Sequence, residues 1–146
     1  MSLITISSIE RITAKRLADL LLAKHPTPDP NIAIVDVRDG DFIGGHIKSC
    51  LHFPTSSLDA TMPTLMRKLA DKHTVVFHCA LSQQRGPSAA LRYLREKEAA
   101  APEKKDGEEQ QKVYILDRGF VGWQEQYGLD ERLTEGYRKE LWEEGY

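Results

Sequence analysis

VVFHCALSQQRGPSAA, residues 75–90, divides into three parts: an apolar run, a short loop, and a Gly-Pro-led stretch rich in alanine. The run predicts a buried central strand over Thr74 to His78. The alanine-rich part predicts a helix from Pro87 to about Glu98, with Pro87 suited to a first helical turn. Cys79 opens the intervening loop and Arg85 closes it, with Ala80, Leu81, Ser82, Gln83 and Gln84 between them. A loop of this kind bends its backbone N–H groups into a concave anion nest. The helix that begins at about Gly86 aims its positive end at the same spot. Arg85 adds a planar fork for two oxygens of an anion. Residues 80–86 are therefore the expected substrate-binding loop, and Cys79 and Arg85 the expected catalytic pair. The field that holds an anion also favours thiolate over thiol, and the thiolate is the nucleophile. A merely buried cysteine is the plain alternative for Cys79, but it leaves the spacing and the flanking elements unaccounted for.

Working outward, strands alternate with helices. Ile4 to Ile6 predicts an edge strand, and Thr13 the cap of a helix carrying Leu17, Leu20 and Leu21 at helical spacing. The proline-rich stretch from His25 to Pro30 ends that helix. Ile32 to Val37 predicts a strand buried on both faces; Gly44-Gly45 marks a turn, and Ile47 to Phe53 contains a short strand. A helix is expected over Met62 to Ala70. Lys97 to Lys112 is expected as a solvated helix extension and a loose loop, Val113 to Leu116 as the last strand, and Gly119 to Tyr127 as a short helix docked through Phe120 and Trp123. The tail, about residues 130–146, is expected to be helical, touching the rest through Leu133, Tyr137, Leu141 and Trp142. This order predicts one α/β domain over residues 1–146, with a largely parallel central sheet flanked by helices. Ligands in such sheets sit at the carboxyl ends of strands, where Cys79 falls.

Composition narrows the partners. The chain has 146 residues and a net charge of −2, so no broad electrostatic case exists for nucleic acid or a membrane surface. No apolar run reaches the length of a membrane span. The first ten residues lack the pattern of a signal peptide. Two cysteines, Cys50 and Cys79, make no disulfide framework, and no Cys/His cluster has zinc spacing. A working thiolate suits a reducing compartment, so the expected location is cytoplasmic, nuclear or both.

Asp36-Val37-Arg38, Gly44-Gly45-His46-Ile47, the cysteine loop, and Leu116-Asp117-Arg118-Gly119-Phe120 with Trp123 together resemble a rhodanese-fold domain over about residues 5–128. The cysteine loop most resembles that of the small fungal rhodanese-type tyrosine phosphatases. It is also similar to fungal and protozoan arsenate reductases and to the cell-division-cycle dual-specificity phosphatases. The resemblance implies Cys79 as nucleophile and Arg85 as oxyanion binder. It implies structural roles for Asp36, Arg38 and His46 beneath the site. Rhodanese sulfurtransferases are similar too, but usually carry one loop residue fewer, which suits a single sulfur rather than a tetrahedral oxyanion. This chain departs from its cell-cycle relatives at Ala80, where they commonly have Glu, and at Val37, where some have a protective cysteine. No hydroxyl follows Arg85, since the next residue is Gly86.

The first expectation is a cysteine-dependent protein phosphatase acting on phosphotyrosine through a thiophosphate intermediate, with no cofactor or metal required. No acid is placed by sequence beside the leaving oxygen; Asp39, Asp41, Asp117 and Glu125 serve only if loops bring them in. A phenolate, with a parent pKa of about 10, leaves more readily than an alkoxide, so aryl phosphates are favoured. The second expectation is an arsenate reductase, in which glutathione with glutaredoxin supplies the second thiol unless Cys50 does. A phosphoprotein-binding module without turnover is the third, and intact Cys79 and Arg85 argue against it.

Overall fold

Strand β5 (Thr74–His78) lies at the centre of a five-stranded sheet, as its uninterrupted apolar character demands. The structure is a computed structural model that describes residues 3–101 and 110–145. Its other strands are β1 (Glu10–Ile12), β2 (Ile32–Asp36), β4 (Leu51–His52) and β6 (Lys112–Leu116), in the order β1-β6-β5-β2-β4. Every pairing within this sheet is parallel. Strands β3 (His46–Ile47) and β7 (Thr134–Glu135) form a separate antiparallel ribbon.

Alternation along β5 divides the core into two layers. Val75 and Phe77 face α2 (Leu58–Leu69) and α3 (Arg85–Ala100), among Leu65, Leu69, Ala90 and Tyr93. Val76 faces α1 (Ala14–Leu22) and α4 (Gly119–Tyr127), among Leu17, Leu21, Phe120 and Trp123. Continuing the alternation past the strand end puts Cys79 in the α2/α3 layer. Cys50 packs in the other layer, across the sheet.

Several expectations hold closely. Thr13 caps α1 by accepting from the Arg16 N–H, β5 has the expected bounds, and so does α4. Others are corrected. Ile4 to Ile6 is not the edge strand: a 3-10 turn occupies Ile6–Ser8, and the edge strand is β1. The Thr5 and Ser8 backbone and hydroxyl groups bond one another, and such local bonds compete with a sheet ladder. The exposed charges of Glu10 and Arg11 protect the true edge. Helix α2 starts at Leu58 rather than Met62 and carries Pro63 inside it. Burial of Leu58, Met62, Leu65 and Leu69 as one stripe offsets the backbone bond that proline forfeits.

The tail is not one helix. Only α5 (Lys139–Glu143) is helical, because β7 pairs with β3 and Gly136 then turns the chain at φ +65°. Leu133 is fully buried, and Trp142 reaches back to donate to the Gly44 carbonyl at 2.9 Å. Helix α3 begins at Arg85, ahead of Pro87, and runs to Ala100. The loose loop expected before Lys112 falls on residues 102–109, outside the described residues.

Candidate functional site

The sulfur of Cys79 sits where the end of β5 meets the start of α3. It accepts the backbone N–H groups of Ser82 at 3.3 Å and Gly86 at 3.4 Å. Helix α3 has no side-chain cap from Gln84, so the sulfur occupies the acceptor position that an N-cap side chain would take. Two N–H donors and the helix terminus stabilise negative charge on that sulfur. Gly86 permits this close approach: a Cβ on it would crowd the Cys79 nitrogen and the His78 Cα, each 3.2 Å away.

The loop's carbonyls are held by outside donors. The N–H groups of Phe120 and Val121, at the start of α4, bond the Cys79 and Ala80 carbonyls at 3.0 and 2.9 Å. Gly119 allows that approach. Its φ is +54°, and a Cβ there would lie 2.5 Å from both carbonyl oxygens. Arg11 donates to the Ser82 carbonyl at 3.0 Å. Ser82 itself adopts φ +56°, and its hydroxyl is buried with no hydrogen-bond partner among the described residues, so its backbone rather than its hydroxyl serves the sulfur. Leu81, Gln83 and Gln84 are exposed, while Ala80 is half-buried. Neither Arg11 nor Gly119 was identified as a loop support from sequence; for Arg11, 71 residues from its partner, no local signal exists.

Arg85 lies at the mouth, one-third exposed, above a Cys79 residue that is only 3% exposed. Its fork holds a carboxylate: Nη1 donates to Asp41 Oδ1 at 2.8 Å and Nη2 to Asp41 Oδ2 at 2.6 Å. Nη1 also reaches Asp39 Oδ2 at 3.4 Å. The Arg85 hydrogen bonds pull the Asp41 carboxyl down to about 2, and the pair raises Arg85 in turn. Asp39 is lowered chiefly by Thr55, whose hydroxyl donates to it at 2.5 Å, and it also accepts the Ser56 N–H at 2.9 Å. Of the four acids raised by sequence, these two reach the site. Asp117 pairs with Arg11, and Glu125 with Arg118. A cleft of about 300 Å³ runs from Arg85 past Gln84, Ser88 and Arg92 towards Thr55 and Leu58.

Beneath the mouth, Arg38 is completely buried and pairs bidentately with Asp36, its Nη2 lying 2.8 Å from Oδ2. The same guanidinium donates to the carbonyls of Asp41, Ile43 and Gly45 and lies over the Phe42 and Phe120 rings. It therefore sets the path of the segment that carries Asp39 and Asp41. Burial pushes the Asp36 carboxyl up, yet His78 and Arg38 together hold it below its ordinary value. His46, in β3, lies 3.5 Å from Glu135 and stacks on Phe42. Among the described residues no group of three or more His, Cys, Asp or Glu side chains is placed to hold a metal ion, and no helix is long and apolar enough to cross a membrane.

Burial pushes the Cys50 thiol up to about 12, so it stays protonated until the pH approaches that value. Iodoacetamide at mildly acidic pH is expected to modify Cys79 about tenfold faster than Cys50, or more, and vanadate to slow the reaction at Cys79 alone. Mass mapping of the alkylated peptides measures both; equal rates without anion protection would remove Cys79 as an activated thiolate.

Residues 14–126 match the family model described as "Rhodanese-like domain". The chain is 45% identical over 118 residues to "Dual specificity phosphatase Cdc25" of Arabidopsis thaliana, covering 80% of this chain and 74% of that protein. It is 38% identical over 118 residues to "Arsenate reductase 2.1" of Oryza sativa subsp. japonica, covering 80% and 68%. Among solved structures, one described as Ygr203w, "a yeast protein tyrosine phosphatase of the Rhodanese family", superposes with a TM-score of 0.77 at 34% identity, covering 94% of this chain and 99% of that one.

Proposed function

Because the chain belongs to the rhodanese-like domain family, and because its cysteine loop presents a fork already filled by a planar anion, we propose that it is a cysteine-dependent phosphatase acting on aryl phosphates, phosphotyrosine in proteins foremost. The observation that carries this reading is that a buried sulfur and a part-exposed guanidinium fork stand at the two ends of one loop. A sulfur backed by two N–H donors lies on the floor, and the two Nη groups of Arg85 hold two oxygens of one carboxylate at the mouth.

The Cys79 thiolate attacks phosphorus in line. A sulfur–phosphorus bond forms as the bond to the leaving oxygen breaks, and that oxygen departs with the electron pair and gains a proton. Arg85 exchanges Asp41 for two equatorial oxygens, and the loop N–H groups take the rest as charge spreads over them. Water then attacks phosphorus, the sulfur–phosphorus bond breaks, and the thiolate returns with release of phosphate. No residue outside the loop need bear the nucleophile's charge.

The similarity to a plant arsenate reductase supports a second reading at the same site. Arsenate would condense on Cys79 in place of the phosphoryl group. A second thiol then attacks the Cys79 sulfur: a disulfide forms as the sulfur–arsenic bond breaks, its electron pair takes arsenic from the +5 to the +3 state, and arsenite leaves. Cys50 is a poor donor, since it packs across the sheet from Cys79 and its thiol is pushed up to about 12. The second thiol is then external: glutathione, passed on by glutaredoxin.

Parallel turnover assays with an aryl phosphate, with arsenate plus glutathione and glutaredoxin, and with thiosulfate plus cyanide separate these chemistries. The expected result is aryl phosphate hydrolysis exceeding the other two. Sulfur transfer as the dominant activity would overturn the oxyanion reading.

A further inference from the structure

We propose that Asp41 is the general acid of the phosphatase reaction, and that the substrate itself arms it by drawing Arg85 away. The inference rests on the phosphatase reading and adds the group that protonates the leaving oxygen. In-line attack fixes where that group must stand. With the nucleophile on the floor, the leaving oxygen lies on the far side of phosphorus, at the mouth. The carboxylates at the mouth among the described residues are Asp39 and Asp41, both in contact with Arg85.

The two differ in what holds them. Asp39 accepts from the Thr55 hydroxyl at 2.5 Å and the Ser56 N–H at 2.9 Å. These partners stay in place whatever Arg85 does, so Asp39 remains an ionised anchor. Asp41 divides its oxygens. Oδ1 accepts the Asp39 N–H at 2.9 Å as well as Arg85 Nη1, whereas the contact of Oδ2 is Arg85 Nη2 at 2.6 Å. When Arg85 turns its fork to a phosphoryl group, Oδ1 keeps its backbone anchor and Oδ2 loses its cation. The side chain is still aimed at the mouth, and a dianion has replaced a guanidinium as its neighbour. Both changes favour the protonated carboxyl, reversing the cause that holds it low in the resting site.

The proton balance closes over a cycle. Asp41 takes one proton from solvent as the substrate binds and gives it to the leaving oxygen as the phosphorus–oxygen bond breaks. It recovers a proton from the attacking water as the sulfur–phosphorus bond breaks. When phosphate leaves, Asp41 returns that proton to solvent, offsetting the one taken up on binding, and the Arg85–Asp41 pair re-forms. Arg38 keeps this geometry by binding the Asp41 carbonyl, at 3.4 Å, from beneath.

The test is Asp41→Asn assayed on two esters that differ in their need for an acid. Phenyl phosphate releases a phenolate whose parent pKa is about 10, whereas 4-nitrophenyl phosphate releases a stable anion that needs no proton. Asp41→Asn is expected to lower the ratio of kcat on phenyl phosphate to kcat on 4-nitrophenyl phosphate by about 10²-fold. Asp41→Glu, which keeps a carboxyl group, is expected to recover part of the phenyl phosphate rate. A purely structural role would lower both esters equally, and equal loss, or no loss on either, overturns the proposal while leaving the phosphatase reading intact. Wild-type protein that hydrolyses neither ester overturns the phosphatase reading itself, and the acid with it.

Discussion

Cys79→Ser is expected to lower kcat/KM on aryl phosphate by on the order of 10⁴-fold or more, while the protein stays folded and still binds vanadate or phosphate. The loss follows from chemistry: among the described residues, the hydrogen-bond partners of the atom at this position are backbone N–H donors, which cannot take a proton from a serine hydroxyl, and without a thiolate the covalent route closes. Retained binding follows from geometry. The Ser82 and Gly86 N–H groups belong to the backbone, and Arg85 lies on the first turn of α3, so none of these donors depends on sulfur. Steady-state kinetics and calorimetric titration with phosphate give the two halves of the result. Substantial residual turnover would assign the nucleophile to another residue. Loss of anion binding together with turnover would show that the sulfur, rather than the loop, organises the nest.

Arg38→Met is expected to destabilise the fold by about 3–5 kcal/mol, since removing one partner of a buried pair leaves the other charge uncompensated. Both partners are buried, with side-chain exposures of 1% for Arg38 and 0% for Asp36. The sign of the pH dependence can be worked out. In the wild type, Asp36 is held below its ordinary value, so its contribution is present at neutral pH and is lost as the pH falls through the folded value. In the variant His78 remains but the arginine is gone, so burial lifts Asp36 above the value it has in the folded wild type. The variant is then closest to wild type in acid and falls behind as the pH rises. Urea denaturation at a series of pH values measures this. A gap that does not widen from acid to neutral pH would contradict the uncompensated carboxylate as its cause. Turnover should fall as well, because the carbonyls of Asp41, Ile43 and Gly45 lose their shared donor.

What could be read from the chain itself was written within short stretches. The apolar run within Thr74 to His78 located the central strand to the residue. The Cys79–Arg85 spacing and the glycine and proline after it located the loop and its helix, and Gly119 to Tyr127 was equally local. These features are legible because strand, turn and first-turn preferences depend on neighbours only a few residues away. Boundaries were less legible where two local preferences compete. Met62 to Ala70 reads as the whole helix until Leu58 is seen buried on the same stripe as Met62, and Ile4 to Ile6 reads as a strand until Ser8 bonds back to Thr5. The tail reads as helical until β3 offers β7 an edge to pair with.

Tertiary structure alone decided what surrounds the sulfur. Arg85 and Asp41 are 44 residues apart, and Arg11 and Ser82 are 71 apart. No pattern within a strand or helix encodes either meeting. They arise because parallel strands β1, β2, β5 and β6 bring their carboxyl ends to one edge of the sheet, so that four chain segments converge there. The composition of that edge was visible as Asp39, Asp41, Asp117 and Glu125, but not which acid would face which arginine. The choice is made by packing: Arg38 bent beneath the segment that follows β2 turns Asp39 and Asp41 towards Arg85, while Arg11 and Arg118 take up Asp117 and Glu125.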